Sequence, residues 1–225
     1  NKIEEADVCL LVGVDPRKEA AILNLQLRKH YVNSNFKIAN VGSVLNLTFP
    51  CIQLGSSTED ILRLAQGQNP FCEVLKRAKK PMVIFGSSFF DSLDESTARL
   101  ILSFVTKNIN IVSKDWNGIN FLGHQASQVG CSEIGISAND SLADKPKFIY
   151  AIGDAVVENN SEDCFVVYQG HQGNSSALKA DLILPGAAYT EKDSTFLNVE
   201  GRAQKTQKIL SAPGKAKEDV SVLSA

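Results

Sequence analysis

Residues 8–31 read VCLLVGVDPRKEAAILNLQLRKHY, and this stretch decides the fold. Its first five residues, Val8 to Val12, form a continuous apolar run, the pattern of a strand buried on both faces in a parallel sheet flanked by helices. Gly13 ends the run. Asp15 and Pro16 then offer an N-cap and a first-turn proline ahead of a helix-length segment from Arg17 to Tyr31. Strand, glycine turn and helix together give a unit whose repeats can be sought along the chain.

Five more apolar runs end in the same way: ANVG at Gly42, VIFG at Gly86, YAIG at Gly153, VYQG at Gly170 and ILPG at Gly186. Helix-length segments lie between several of them, with capping-box spacing from Ser57 to Asp60 and from Ser92 to Glu95. This alternation predicts an α/β fold with Rossmann-like lobes and mostly parallel sheets. In such open sheets ligands bind beyond the carboxyl ends of the strands, where glycine lets the backbone come close. All six glycines are expected at that edge, whether as openers of short turns or as traces of a nucleotide-type binder. The segment QGQNPFCEVLKRAKKP, residues 66–81, reads as a linker between lobes with a short amphipathic helix and a solvated basic end. ISANDSLADKPK, residues 136–147, reads as a surface loop.

At 225 residues, with 44% apolar and 21% charged side chains, the chain is long enough for one large domain or two compact lobes. A net charge of −2 with no clustered basic excess gives no nucleic-acid signal. No apolar run approaches the ~20 residues that span a bilayer as a helix, so any membrane association is expected to go through partner proteins. The chain opens without a Met, a signal peptide or an Arg-rich presequence, and is read as a mature form or part of something longer. Five cysteines, at 9, 51, 72, 131 and 164, lack any CxxC spacing. That argues for buried thiols in a reducing compartment, and against zinc or an iron–sulfur cluster held by this chain alone.

The common catalytic motifs are missing. The first turn reads GVDPRKEA where a dinucleotide fingerprint needs GxGxxG, and neither a P-loop, HExxH nor GxSxG occurs. His124 and His171 each lie in a Gly-His-Gln triplet, a general-base possibility with no nucleophile beside it, and loop packing is the favoured reading. Asp154 is read as a helix cap rather than a ribose contact. The densest polar passage is ADLILPGAAYTEKDSTFLNVEGRAQKT, residues 180–206. Glu191, Asn198, Glu200 and Arg202 crowd it, with Gly201 between the last two, and such groups suit a heterocycle or a phosphate. Equally, Glu200 and Arg202 could pair with other parts of the fold while Gly201 makes a turn.

This passage resembles the signature of the molybdopterin oxidoreductase superfamily, in which a strand ending "ADxxLP" leads through an acidic helix start to "NxEGR". ADVCLLVGVDPRKEAAILNLQLRK, FKIANVGSVLNLTF, AKKPMVIFGSS, ASQVG and CFVVYQGHQG narrow the likeness. Together they resemble the C-terminal half of the large iron–sulfur subunits of mitochondrial respiratory complex I, in order, from about Glu4 to near Leu223. The resemblance implies a non-catalytic structural part of the matrix arm, on the matrix side of the mitochondrial inner membrane, supporting electron transfer from NADH to ubiquinone. Iron–sulfur clusters are expected on the N-terminal part of the subunit, with no cofactor on this chain. Expected partners are that N-terminal part and other matrix-arm subunits. No catalytic or metal-ligating residue is expected, and Glu191, Asn198, Glu200, Gly201 and Arg202 would frame a vestigial pocket, with Glu200 and Arg202 paired within the protein. Many members of the family carry a neutral Asn at the first strand end, where this chain has Asp15, whose charge opposes a phosphate-rich ligand although the helix N-terminus offsets part of it. The resemblance also implies that residues 1–79 belong to a first lobe completed by another chain or segment, and 80–225 to a second. The alternative is a fragment of an active molybdopterin-dependent oxidoreductase.

Overall fold

The computed structural model describes residues 3–87, 89, 95–109, 111–123, 125–126, 128–136, 146–157 and 163–225. Two compact units divide between Gln128 and Val129. The first is built on strand β1 (Val8–Val12), buried at all five residues as its continuous apolar run predicts. Beyond Gly13, Asp15 caps a four-residue helix α1 (Pro16–Glu19) by accepting from the Arg17 N–H, with Pro16 in the first turn. The single helix expected from Arg17 breaks at Ala20 (φ −148°, ψ 75°), which packs against the core beside Leu23. Helix α2 (Ala21–Asn33) follows and places Leu27 fully in that core.

Strands β2 (Lys37–Val41) and β3 (Ile52–Gly55) lead to α3 (Thr58–Ala65) and α4 (Phe71–Arg77). After β4 (Pro81–Gly86) come α5 (Glu95–Asn108) and β5 (Ile119–Leu122). The strand order is β3-β2-β1-β4-β5 and every pairing is parallel. This is the doubly wound order, in which the chain builds outward from β1 first one way and then the other. Alternation along β1 feeds two cores. Val8, Leu10 and Val12 meet Ile61, Leu64, Leu75, Ile101 and Val105 on one face, while Cys9 and Leu11 meet Leu27, Phe36 and Trp116 on the other.

The expected boundary at residues 79/80 does not match these units, because β4 and β5 belong to the same sheet as β1. Nor is 66–81 a linker: α4 buries Phe71, Cys72 and Leu75 in the core of the first unit. Three apolar side chains at helical spacing outweigh the polar appearance of QGQNPFCEVLKRAKKP. Its basic end is exposed as read, with Lys76 on Glu73 at 3.3 Å and Lys80 on Glu5 at 2.5 Å. The Ser57–Asp60 capping box forms in both directions, whereas Ser92 and most of 136–147 lie outside the described residues.

The second unit contains α6 (Gln128–Glu133, which begins at the dividing point), β6 (Phe148–Ile152), β7 (Phe165–Gly170), α7 (Ser175–Leu178) and β8 (Leu182–Pro185). Its three strands also pair in parallel, in the order β6-β7-β8. A hairpin of β9 (Ser194–Leu197) and β10 (Ala203–Thr206) and a short α8 (Asp219–Leu223) complete it. One sheet face packs Ala151, Val166 and Tyr168 with Val157 and Ala177. The opposite face leaves Phe148, Phe165 and Leu182 exposed, Phe148 and Phe165 stacked at 6.4 Å.

All six glycines fall at the carboxyl ends of strands β1, β2, β4, β6, β7 and β8. At Gly86 the requirement is steric, since a Cβ there would lie 2.1 Å from the Gly13 carbonyl oxygen. Gly13 itself has φ +60°, a conformation that favours glycine.

Candidate functional site

In the first unit, the ends of β1, β2 and β3 enclose a cleft of about 280 Å³. Gly13, Val14, Asp15 and Glu19 line one side, Val41, Gly42 and Ser43 the second, Ser56 and Ser57 the third. This is where an open α/β sheet offers a helix N-terminus to an anionic ligand. Here the chain's own carboxylates take that role. Asp15 Oδ1 accepts from the Arg17 N–H at 3.1 Å, and Glu19 Oε1 from the Asp15 N–H at 2.7 Å. The Arg17 guanidinium donates away from the lining, to the Asn46 carbonyl at 2.8 Å, while Lys18 stands 3.5 Å from Asp15. Below the cleft, the Asn40 amide donates to the Ser43 carbonyl and to Gln53 Oε1, tying β2 to β3. On the Cys9 face, burial pushes the Cys51 thiol up to about 11 and raises Cys9 as well, which disfavours the thiolate form of both. All five cysteines are free thiols.

In the second unit, the cluster singled out from the sequence becomes a turn. Val199, Glu200 and Gly201 form the three-residue loop of the β9–β10 hairpin: the Gly201 N–H donates to the Asn198 carbonyl at 2.9 Å, and the Asn198 N–H to the Arg202 carbonyl at 3.1 Å. Gly201 takes φ +75°, the left-handed third position such loops require. The Asn198 side-chain oxygen accepts from the Glu200 and Arg202 N–H groups, both at 2.9 Å. Glu191 closes a separate turn by accepting from the Ala188 N–H at 3.0 Å.

The expected pairing of Glu200 and Arg202 within the protein is not what the structure shows. Among the described residues neither charged group has a partner, and both are exposed, because a tight hairpin loop aims its side chains outward. Nor does an acidic helix start precede them, since residues 189–193 turn directly into β9. His171 is exposed in a bend rather than packed, and Asp154 lies in a turn with no helix following it among the described residues. The cap in that region is Asn174, which starts α7. His124 lies outside the described residues.

Sequence reasoning missed a buried polar relay at the end of β7. Gln169 is fully buried; its Oε1 accepts from the Tyr150 hydroxyl at 2.5 Å, and its Nε2 donates to Asp219 Oδ1 at 2.7 Å. Lys192 pairs with the other Asp219 oxygen. Both ends of the buried amide are thus satisfied, and α8 is fastened to the strand ends. The one available signal was a glutamine closing the apolar strand FVVYQG.

The doubly wound first unit and the glycine-ended parallel strands define the class of Rossmann-like α/β domains. The chain belongs to the molybdopterin oxidoreductase family, whose model matches residues 1–225. It is 40% identical over its whole length to the NADH-ubiquinone oxidoreductase 75 kDa subunit of Reclinomonas americana, of which it covers 34%. It is 42% identical, over 99% of the chain and 31% of the relative, to the mitochondrial NADH-ubiquinone oxidoreductase 78 kDa subunit of Candida albicans. The mitochondrial NADH dehydrogenase (ubiquinone) iron-sulfur protein 1 of Solanum tuberosum is 36% identical over 99% of the chain and 31% of that protein. The chain therefore spans about a third of the length of these curated relatives. A solved structure of the formyltransferase/hydrolase complex FhcABCD from Methylorubrum extorquens superposes with a TM-score of 0.63 at 11% identity, over 99% of this chain and 74% of that one, which shows a shared fold.

The family implies a molybdopterin, a phosphate-bearing pterin. The residues of the cleft do not fit it. Among the described residues no Lys or Arg lines the cleft, two carboxylates do, and those carboxylates already hold N–H groups that would otherwise receive a phosphate.

Proposed function

We propose that this chain is a non-catalytic structural part of the matrix arm of respiratory complex I. In this reading, electrons pass from NADH toward ubiquinone through iron–sulfur clusters on segments outside residues 1–225. The observation that carries it is identity of 36–42% along essentially the whole chain to proteins named for NADH-ubiquinone oxidoreductase or NADH dehydrogenase. The self-capped, carboxylate-lined cleft supports the non-catalytic part of the reading, since the strand-end site is occupied by the chain's own charges. Glu191, Asn198, Glu200, Gly201 and Arg202 then serve turn formation, a family frame retained for its geometry.

The same reading names the partners as the N-terminal iron–sulfur part of the subunit and neighbouring matrix-arm subunits, on the matrix side of the mitochondrial inner membrane. A segment outside this chain would complete the first sheet at edge strands β3 or β5, where Ile52 and Phe121 are half exposed. The test is chemical analysis of the purified chain. It should contain neither molybdenum nor stoichiometric iron and should not reduce an artificial acceptor with NADH. Stoichiometric molybdenum, or NADH-driven turnover, would overturn the proposal in favour of an active pterin enzyme.

A further inference from the structure

The β9–β10 hairpin pairs with no other strand among the described residues, and all four residues of β10 are exposed. A two-stranded hairpin is marginal in water by itself and gains from a third strand. The ladder shows which groups stand ready. Because the Asn198 N–H donates to the Arg202 carbonyl, residues 202, 204 and 206 occupy hydrogen-bonded positions, and the backbone N–H and C=O of Ala203 and Lys205 point to the free edge.

Charge selects what that edge can take. Residues 202–217 hold five basic side chains, Arg202, Lys205, Lys208, Lys215 and Lys217, and no acidic one. Just past the strand, Ile209 and Leu210 are 79% and 56% exposed. We infer that the free edge of β10 receives an acidic extended segment of another protein as a third strand, its carboxylates on Lys205 and Lys208 and an apolar side chain on Ile209 or Leu210. A second copy of this edge is disfavoured, because it would set two like-charged basic stretches side by side; edge lysines discourage that kind of self-pairing. Main-chain hydrogen bonds supply the attachment and the charges supply the choice of partner. The inference is independent of the assignment to complex I, because it rests on the edge and its charge alone.

The test uses the full chain and two synthetic probes, an eight-residue peptide alternating Glu with Val and its Lys-with-Val counterpart. Amide exchange should slow at Ala203 and Lys205 with the acidic peptide and not with the basic one. Reversing Lys205 and Lys208 to Glu should weaken binding about tenfold or more. Ala203→Pro removes one outward N–H without touching the pairing to β9, and should also weaken it, an effect that charge attraction alone would not produce. Equal binding of both peptides, absence of protection at Ala203 and Lys205, or an unaltered affinity in Ala203→Pro would overturn the inference. So would preferential binding to phosphatidylserine vesicles or to a single-stranded oligonucleotide with those two amides unprotected.

Discussion

In the first sheet, β1 is buried at every residue from Val8 to Val12, with helices on both faces; in the second, Phe148, Phe165 and Leu182 remain 57%, 49% and 45% exposed. Both sheets are parallel, and parallel sheets are ordinarily covered on both sides. The first unit reaches that condition with its own α2 on one face and α3, α4 and α5 on the other. The second unit packs Ala177 of α7 on one face, and on the other it buries only Val167 and Gln169, the latter held by Asp219, which pairs with Lys192. The difference separates a sheet whose central strand is covered on both faces by the chain's own helices from one that leaves apolar side chains open on a face.

Four substitutions probe that contrast. Phe85→Ala removes a fully buried ring from the first core and should cost about 3–5 kcal/mol. Urea unfolding followed by the fluorescence of Trp116, the single tryptophan, reads the first unit, because its indole N–H donates at 2.8 Å to the carbonyl of Pro81, the first residue of β4. Gln169→Leu leaves the Tyr150 hydroxyl and Asp219 short of a partner, so it should destabilise the second unit by about 1–3 kcal/mol and free α8 to exchange its amides. Ser57→Ala deletes the cap of α3 and should cost about 1 kcal/mol, visible as a lower urea midpoint for Trp116. Phe165→Ala, on the open face, should change the exchange of the β6–β8 amides by less than about 1 kcal/mol, and a cost matching that of Phe85 would erase the contrast.

A pH titration sharpens the same cap. The Ser57 hydroxyl, then the Ser57 and Ser56 N–H groups and Arg63, hold the Asp60 carboxyl below the usual carboxylate range. A folded value below the unfolded one means the stabilisation is present above the ordinary aspartate range and is lost as pH falls through the depressed folded value. In acid, Ser57→Ala and the parent chain should therefore converge in α3 amide exchange. Divergence that grows on acidification would contradict the role given to Asp60.

The fold was largely legible because continuous apolar runs ending in glycine are a strong signal for buried parallel strands. β1, β2, β4, β6, β7 and β8 all stand where such runs lie. β3 and β5 were missed because a polar residue interrupts each short run, Gln53 in IQLG and Asn120 in INFL, so their sequences carry little apolar contrast. The two compact units divide at 128/129 rather than 79/80, and α4 hides its three core residues beside Glu73, Lys76 and Arg77. The candidate pocket was ambiguous for a related reason: asparagine, acid and base around a glycine compose a ligand frame and a three-residue hairpin loop equally well, and the backbone geometry of Gly201 shows the loop. Gln169 and Asp219, fifty residues apart, could not be joined from sequence at all.

The claim that this chain is a structural piece of a respiratory assembly is tested most directly by native electrophoresis of detergent-solubilised membranes, probed with an antibody against residues 1–225. The account predicts comigration with NADH dehydrogenase activity in a very large complex. A small species that migrates free of that activity would contradict it.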